Sequence, residues 1–110
     1  MTKISAPKRK RRLEWTRRSF HIRLRRVPGL FNYSATEGIV SGSFGIHGCR
    51  GEWYITHVPS GRCACGAHTI ADAKDIVRAL KAIKGIDWTS AELRWRQNPD
   101  LCRQVKEIIE

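Results

Sequence analysis

Cys49, Cys63, Cys65 and His68 carry the ligand types of structural zinc, and Cys63 with His57 carries the types of a thiol nucleophile and its base. Zinc sites usually place about two to four residues between paired cysteines on a tight knuckle. Cys-Ala-Cys in an extended strand instead sets two thiols on one face about 6.6 Å apart, which suits small thiols packed against a neighbouring helix. For nucleophilic chemistry His57 would have to lie beside Cys63. A three-residue turn with a left-handed Gly61 faces the two, whereas a two-residue turn puts Cys63 opposite Val58. No acid and no glycine-rich elbow completes such a site. The expectation is a protein that is not an enzyme, with no catalytic residues, no metal, no cofactor and no small-molecule substrate.

The second chemistry is phosphate recognition. Ten of the nineteen residues from 8 to 26 are Lys or Arg, beginning with Lys8, Arg9, Lys10, Arg11 and Arg12 and continuing through Arg17, Arg18, Arg23, Arg25 and Arg26. Residues 1–26 hold eleven Lys or Arg against Glu14 alone, a net charge of +10, and residues 27–110 hold ten basic and nine acidic residues, a net of +1. A near-neutral domain behind a cationic front end calls for a polyanionic partner. Consecutive cations neutralise phosphates and release counterions, and Trp15 and Phe20 among the arginines could stack on bases of a single strand. Trp15 has an alternative role, pinning the basic arm to the core. Pro7 to Arg12 also has the form of a nuclear-localisation signal, which accounts for that block but not for the arginines beyond it.

The elements that must position these groups follow from periodicity. Residues 1–14 read as a flexible basic arm and 15–110 as a single α+β domain. In "SFHIRLRRV", Phe20, Ile22 and Leu24 alternate with His21, Arg23 and Arg25, a strand with one apolar and one basic face. "VPGLFNYSATEG" reads as a turn-rich connector. "IVSGSFGIHG" reads as one strand with Val40, Phe44 and Ile46 in step, "EWYITHV" as a second, and "RCACGA" as its return across "PSG". From Thr69 the period becomes helical, with Ile70, Ala73, Ile76, Val77, Leu80 and Ile83 as the stripe, Thr69 as N-cap and Gly85 as C-cap. Lys74, Arg78 and Lys81 form a basic ridge on the outer face of this helix. Thr89 with Glu92 predicts a short second helix, and Asn98-Pro99 starts a third. The expected fold is therefore an antiparallel sheet of three to four strands packed against one long helix, with two short C-terminal helices. Trp53, Trp88 and Trp95 are expected in the core.

Trp53 in the middle strand, the Gly61-Arg62 turn, Gly66 closing the third strand, and Thr69 with Ala73 opening the helix span about a third of the chain. Over residues 44–80 they resemble the small three-stranded-sheet-plus-helix DNA-binding domains of phage integrase arm-binding regions and ethylene-response factors. The resemblance implies a sheet face lying in the major groove, where Arg50 and Arg62 would contact DNA. The chain also resembles the small orphan proteins of phages and other mobile elements, some of which inhibit host defence as anti-CRISPR proteins do. Two functions are thus expected. The first is nucleic-acid binding, DNA favoured over RNA, through the arm, the first strand, Arg50, Arg62 and the ridge. The alternative is a mobile-element inhibitor of a nucleic-acid-processing protein complex. A membrane partner is not expected, because no apolar run approaches the roughly 20 residues of a span. The expected compartment is the cytoplasm, or the nucleus in a eukaryote.

Overall fold

The computed structural model describes residues 14–27 and 30–109, with 24–27 and 30–33 described through their backbone alone. The basic block Lys8–Arg12 lies outside the described residues. Five antiparallel strands, β1 (Thr16–Val27), β2 (Leu30–Ser41), β3 (Phe44–Cys49), β4 (Glu52–His57) and β5 (Arg62–Ala67), pair in sequence order. They are followed by α1 (Ile70–Lys81), a short 3₁₀ turn (Arg94–Gln97) and α2 (Pro99–Ile109).

This corrects the expected architecture in strand number and in helix pattern. The segment read as a connector is mostly β2, which pairs with β1 from Thr16↔Val40 to Val27↔Leu30. Asn32 and Ser34 are turn formers by propensity, yet they stand opposite Leu24 and Ile22. A strand with one buried face cannot leave its backbone groups unpaired, and that demand outweighs local preference. The single strand expected from "IVSGSFGIHG" is two strands. Gly42, at φ +60°, starts a two-residue turn with Ser43 that closes Ser41 onto Phe44, the glycine position of a type II′ hairpin. The turn inverts the parity of the pattern. Val40 stands opposite Gly45, on the other face from Phe44 and Ile46.

The helices are nearly equal, 12 residues in α1 and 11 in α2, so the expected single long helix with two short ones is also corrected. Thr69 caps α1 as its type requires, its hydroxyl accepting from the Asp72 N–H at 3.0 Å. Gly85 is not the C-cap. The helix stops earlier, at Ala82, where the Leu80 carbonyl accepts from both the Ile83 N–H and the Trp88 indole N–H, each at 3.1 Å. The expected short helix from Thr89 to near Asn98 is reduced to the 3₁₀ turn Arg94–Gln97, which does end at Asn98, and Thr89 does not cap it, its hydroxyl and N–H both bonding the Asp87 carboxylate. Asn98 does start α2, accepting from the N–H groups of Asp100 and Leu101.

Two layers result. Phe44, Ile46 and Ile55 on one sheet face meet Ala73, Val77 and Leu80 of α1, with Val105 of α2 closing the core. Burying each large aliphatic side chain in this way contributes about 1.5–3 kcal/mol. Trp15, Trp53, Trp88 and Trp95 pack around the core's margin, where each ring buries a large apolar area.

The opposite face of β3 and β4 is covered at its Gly45 and Thr56 end and exposed at Cys49 and Glu52. Phe20 of β1 is 4% exposed, and its ring sits so close over Gly45 that a Cβ there would lie 2.7 Å from it. The sheet therefore curls until the outer edge of β1 reaches the start of β5, where the Arg23 N–H donates to the Gly61 carbonyl at 2.7 Å. Gly38 permits the curl, since a Cβ at that position would overlap the Ile46 carbonyl. Gly38→Ala is expected to cost about 3 kcal/mol or more, the upper part of the overpacking range, and Gly45→Ala somewhat less because a ring edge yields more readily than backbone. Thermal unfolding checks the order of the two. The β3–β4 turn holds the opposite opportunity: Arg50 (φ 55°) and Gly51 (φ 82°) are both left-handed, and a non-glycine residue there costs about 1–2 kcal/mol. Arg50→Asn, with a side chain that tolerates this region, should raise denaturant-measured stability by about 0.5–1 kcal/mol.

Candidate nucleic-acid interface

Most of the expected cations whose side chains are described fall into three groups. The first surrounds the start of β1. Trp15 packs against the core, and the Lys74 ammonium lies over its ring, 5.8 Å from the centroid, a cation–π geometry. Lys81 at the other end of α1 donates to the Ser41 hydroxyl at 2.8 Å, and partial burial lowers its pKa. Arg78 between them pairs with Asp75 at 2.8 Å. Thr16↔Val40 and Arg17↔Ile39 join the start of β1 to the end of β2. The two ends of the α1 ridge therefore touch the base of the β1–β2 hairpin through Trp15 and Ser41, and exposed Arg17 follows Trp15 by two residues. The sequence pattern placed Lys74, Arg78 and Lys81 on one face. It did not show that each has a partner in the fold, which makes the ridge a braced edge rather than a solvated row.

The second group sits at the far end of β1. Arg23 is half-buried and Arg62 exposed, and both line a cleft between the sheet and the C-terminal elements. The third is Arg50 alone, in the exposed β3–β4 turn. Arg50 and Arg62 are separated by the length of β4, about 17 Å or more, so the structure does not bring these two together. Arg18 stands opposite Gly38 and Arg17 opposite Ile39, which points them to opposite faces of the hairpin. His21 is exposed opposite Ala35. The side chains of Arg25 and Arg26 lie outside the described residues. Their backbone forms a register shift between Leu24 and Val27, two residues opposing the single residue between Leu30 and Asn32, as in a β-bulge. Sequence reasoning missed Arg96 and Lys106, which also line the cleft. Their one signal was adjacency to the core residues Trp95 and Val105.

The thiol and imidazole groups take other roles. Strand β5 bulges, with Thr56↔Cys63 and Ile55↔Cys65 leaving Ala64 as the extra residue. The cross-strand partners of the two cysteines therefore point to opposite faces, correcting the expectation of two thiols on one face. Burial pushes the Cys65 thiol up to about 11. The β4–β5 loop matches neither expected turn: His57 faces Arg62, and Cys63 faces Thr56. His57 instead clamps two loops. Its Nε2 lies 2.7 Å from the Trp88 carbonyl oxygen, which can only accept, so this nitrogen carries the proton, and its Nδ1 lies 2.8 Å from the Ser60 hydroxyl. Its ring also packs near Phe44 and Trp88. Among the described residues no three His, Cys, Asp or Glu side chains converge as a metal-binding group, and no helix is long and apolar enough to cross a membrane.

Compared with protein-family models, curated proteins and solved structures, the chain matches none.

Burial lowers the pKa of His57, partly offset by its bond to Trp88, and burial likewise lowers His47, whose ring lies between Phe20 and Tyr54. The unfolded chain then takes up protons first. The contribution of both rings to stability is complete above the ordinary histidine pKa of about 6.5 and is lost as pH falls through it toward the folded values. The thermal midpoint should be lower at pH 5.5 than at pH 7.5, and His47→Phe, which keeps an aromatic ring, should reduce that difference. An unchanged pH dependence in the variant would show that His47 does not take part.

Proposed function

We propose that the protein binds nucleic acid without catalysis, DNA in preference to RNA, and that its grip is the basic segment ending at Glu14 together with Arg17 and the α1 ridge. The observation that carries this reading is the Trp15–Lys74 contact. It anchors the chain where the block Lys8–Arg12 joins the fold, so the block with the highest charge density is covalently attached beside Arg17, Lys74, Arg78 and Lys81. A phosphate backbone meeting that edge exchanges condensed counterions for fixed cations, which is favourable through counterion release. The Arg78–Asp75 pair is partly exposed and worth at most about 1 kcal/mol, so a phosphate can compete for the guanidinium.

Lys and Arg at phosphates position a protein on a duplex without reading its sequence. The sheet face opposite α1, which in the resembling DNA-binding domains enters the major groove, here carries Phe20 over Gly45. The binding is accordingly assigned to the arm and ridge, with low sequence selectivity. The setting is inside the cell, where such polyanions are found.

Fluorescence anisotropy with a random-sequence duplex tests this. Affinity should fall by about three orders of magnitude between 50 and 200 mM salt if about six phosphates are engaged. Removing residues 1–13, which hold six Lys or Arg, should cut the salt slope by about 4 to 5, and Lys74→Ala with Arg78→Ala by up to about 2. Salt-independent binding, or undiminished affinity without residues 1–13, would refute the assignment. Recovery of a protein complex that survives nuclease treatment, with no affinity for the duplex, would favour the mobile-element inhibitor.

A further inference from the structure

The cleft between β5, the 3₁₀ turn and α2 has a volume of about 600 Å³, within the range of small-molecule sites. Its floor is apolar, with Leu80, Val105 and Ile109 among its lining, and its rim carries four cations, Arg23, Arg62, Arg96 and Lys106. Among the described residues no Asp or Glu lines it. Arg96 and Lys106 are exposed and make no ion pair among the described residues. Trp95 also forms part of the cleft wall. Its indole N–H is buried and has no hydrogen-bond partner, an uncommon state for a buried polar group.

The side chains of the cleft thus offer donors over an aliphatic floor. His57 is the one strong acceptor type among them, and both its ring nitrogens are already engaged by Ser60 and Trp88. A nucleobase edge presents donors as well as acceptors and would leave its amino groups unpaired here. A carboxylate presents acceptors alone, and an aliphatic chain behind it suits the floor. We infer that this cleft is a binding site for an aliphatic carboxylate, its chain on Leu80, Val105 and Ile109 and its anionic head held by Arg96 and Lys106. The inference is independent of the nucleic-acid reading, since it uses none of the residues assigned to that grip.

The test titrates the full chain with sodium decanoate below its micelle concentration. Decanol and decyltrimethylammonium serve as controls, and the Trp95 indole N–H is followed by two-dimensional NMR. Decanoate should move that resonance saturably, because the Trp95 ring forms part of the cleft wall. Decanol should bind much more weakly and the cationic amphiphile not at all. Arg96→Glu with Lys106→Glu, both at exposed positions, should weaken decanoate binding by about tenfold or more, as like charges at a contact do. Equal binding of decanol, decanoate binding unaffected by the double variant, or no saturable shift would overturn the inference. So would a short single-stranded oligonucleotide shifting the same resonance more strongly than decanoate, which would assign the cleft to nucleic acid.

Discussion

The fold turns on a close approach that only glycine allows. Phe20 lies against the bare backbone of Gly45, and β2 passes the Ile46 carbonyl at Gly38, where any Cβ would collide. These two gaps let the β1–β2 hairpin bend over the sheet rather than extend it as a flat edge. Once bent, β1 reaches the β4–β5 loop, and its outer N–H at Arg23 finds the Gly61 carbonyl. The bend therefore buries an apolar side chain and also shields an edge that would otherwise present open backbone groups.

The same bend divides the charge. An alternating strand with arginines on one face would offer them as a single row if it were straight and alone. Curled around the domain, it leaves Arg17 near the α1 ridge and delivers Arg23 to the cleft beside Arg62. The helix contributes in a related way. Lys74 and Lys81 are tied to the two ends of the hairpin base through Trp15 and Ser41, so the cationic edge has a fixed geometry even though each side chain in it is long and flexible.

Much of this architecture was legible because local patterns and tertiary demands agreed. Thr69 and the stripe through Ala73, Val77 and Leu80 specify α1, Asn98-Pro99 specifies the start of α2, and "EWYITH" forms β4 as its β-branched and aromatic residues suggest. Legibility failed where they conflicted. Asn32 and Ser34 favour turns by their own chemistry, but β1 needs a partner across its whole length. Gly42 looked like a weak point in a strand, and a single positive φ there reversed which side chains share a face. Thr89 had the composition of a helix cap but is occupied by Asp87.

What the sequence determined by itself is the asymmetry of charge, the starts of α1 at Thr69 and of α2 at Asn98-Pro99, and the roles of Trp53, Trp88 and Trp95 as packing residues. These are properties of composition and short-range spacing, which survive any arrangement of the elements. Only the tertiary structure decided that the connector is a strand and that Phe20 covers one end of the sheet face opposite α1. It also decided that Cys63 and Cys65 part company at a bulge, and that Arg96 and Lys106 join Arg23 and Arg62 around one cleft. Each of those depends on contacts between residues far apart in the chain, where a register shift of one residue moves a side chain to the other face of the sheet.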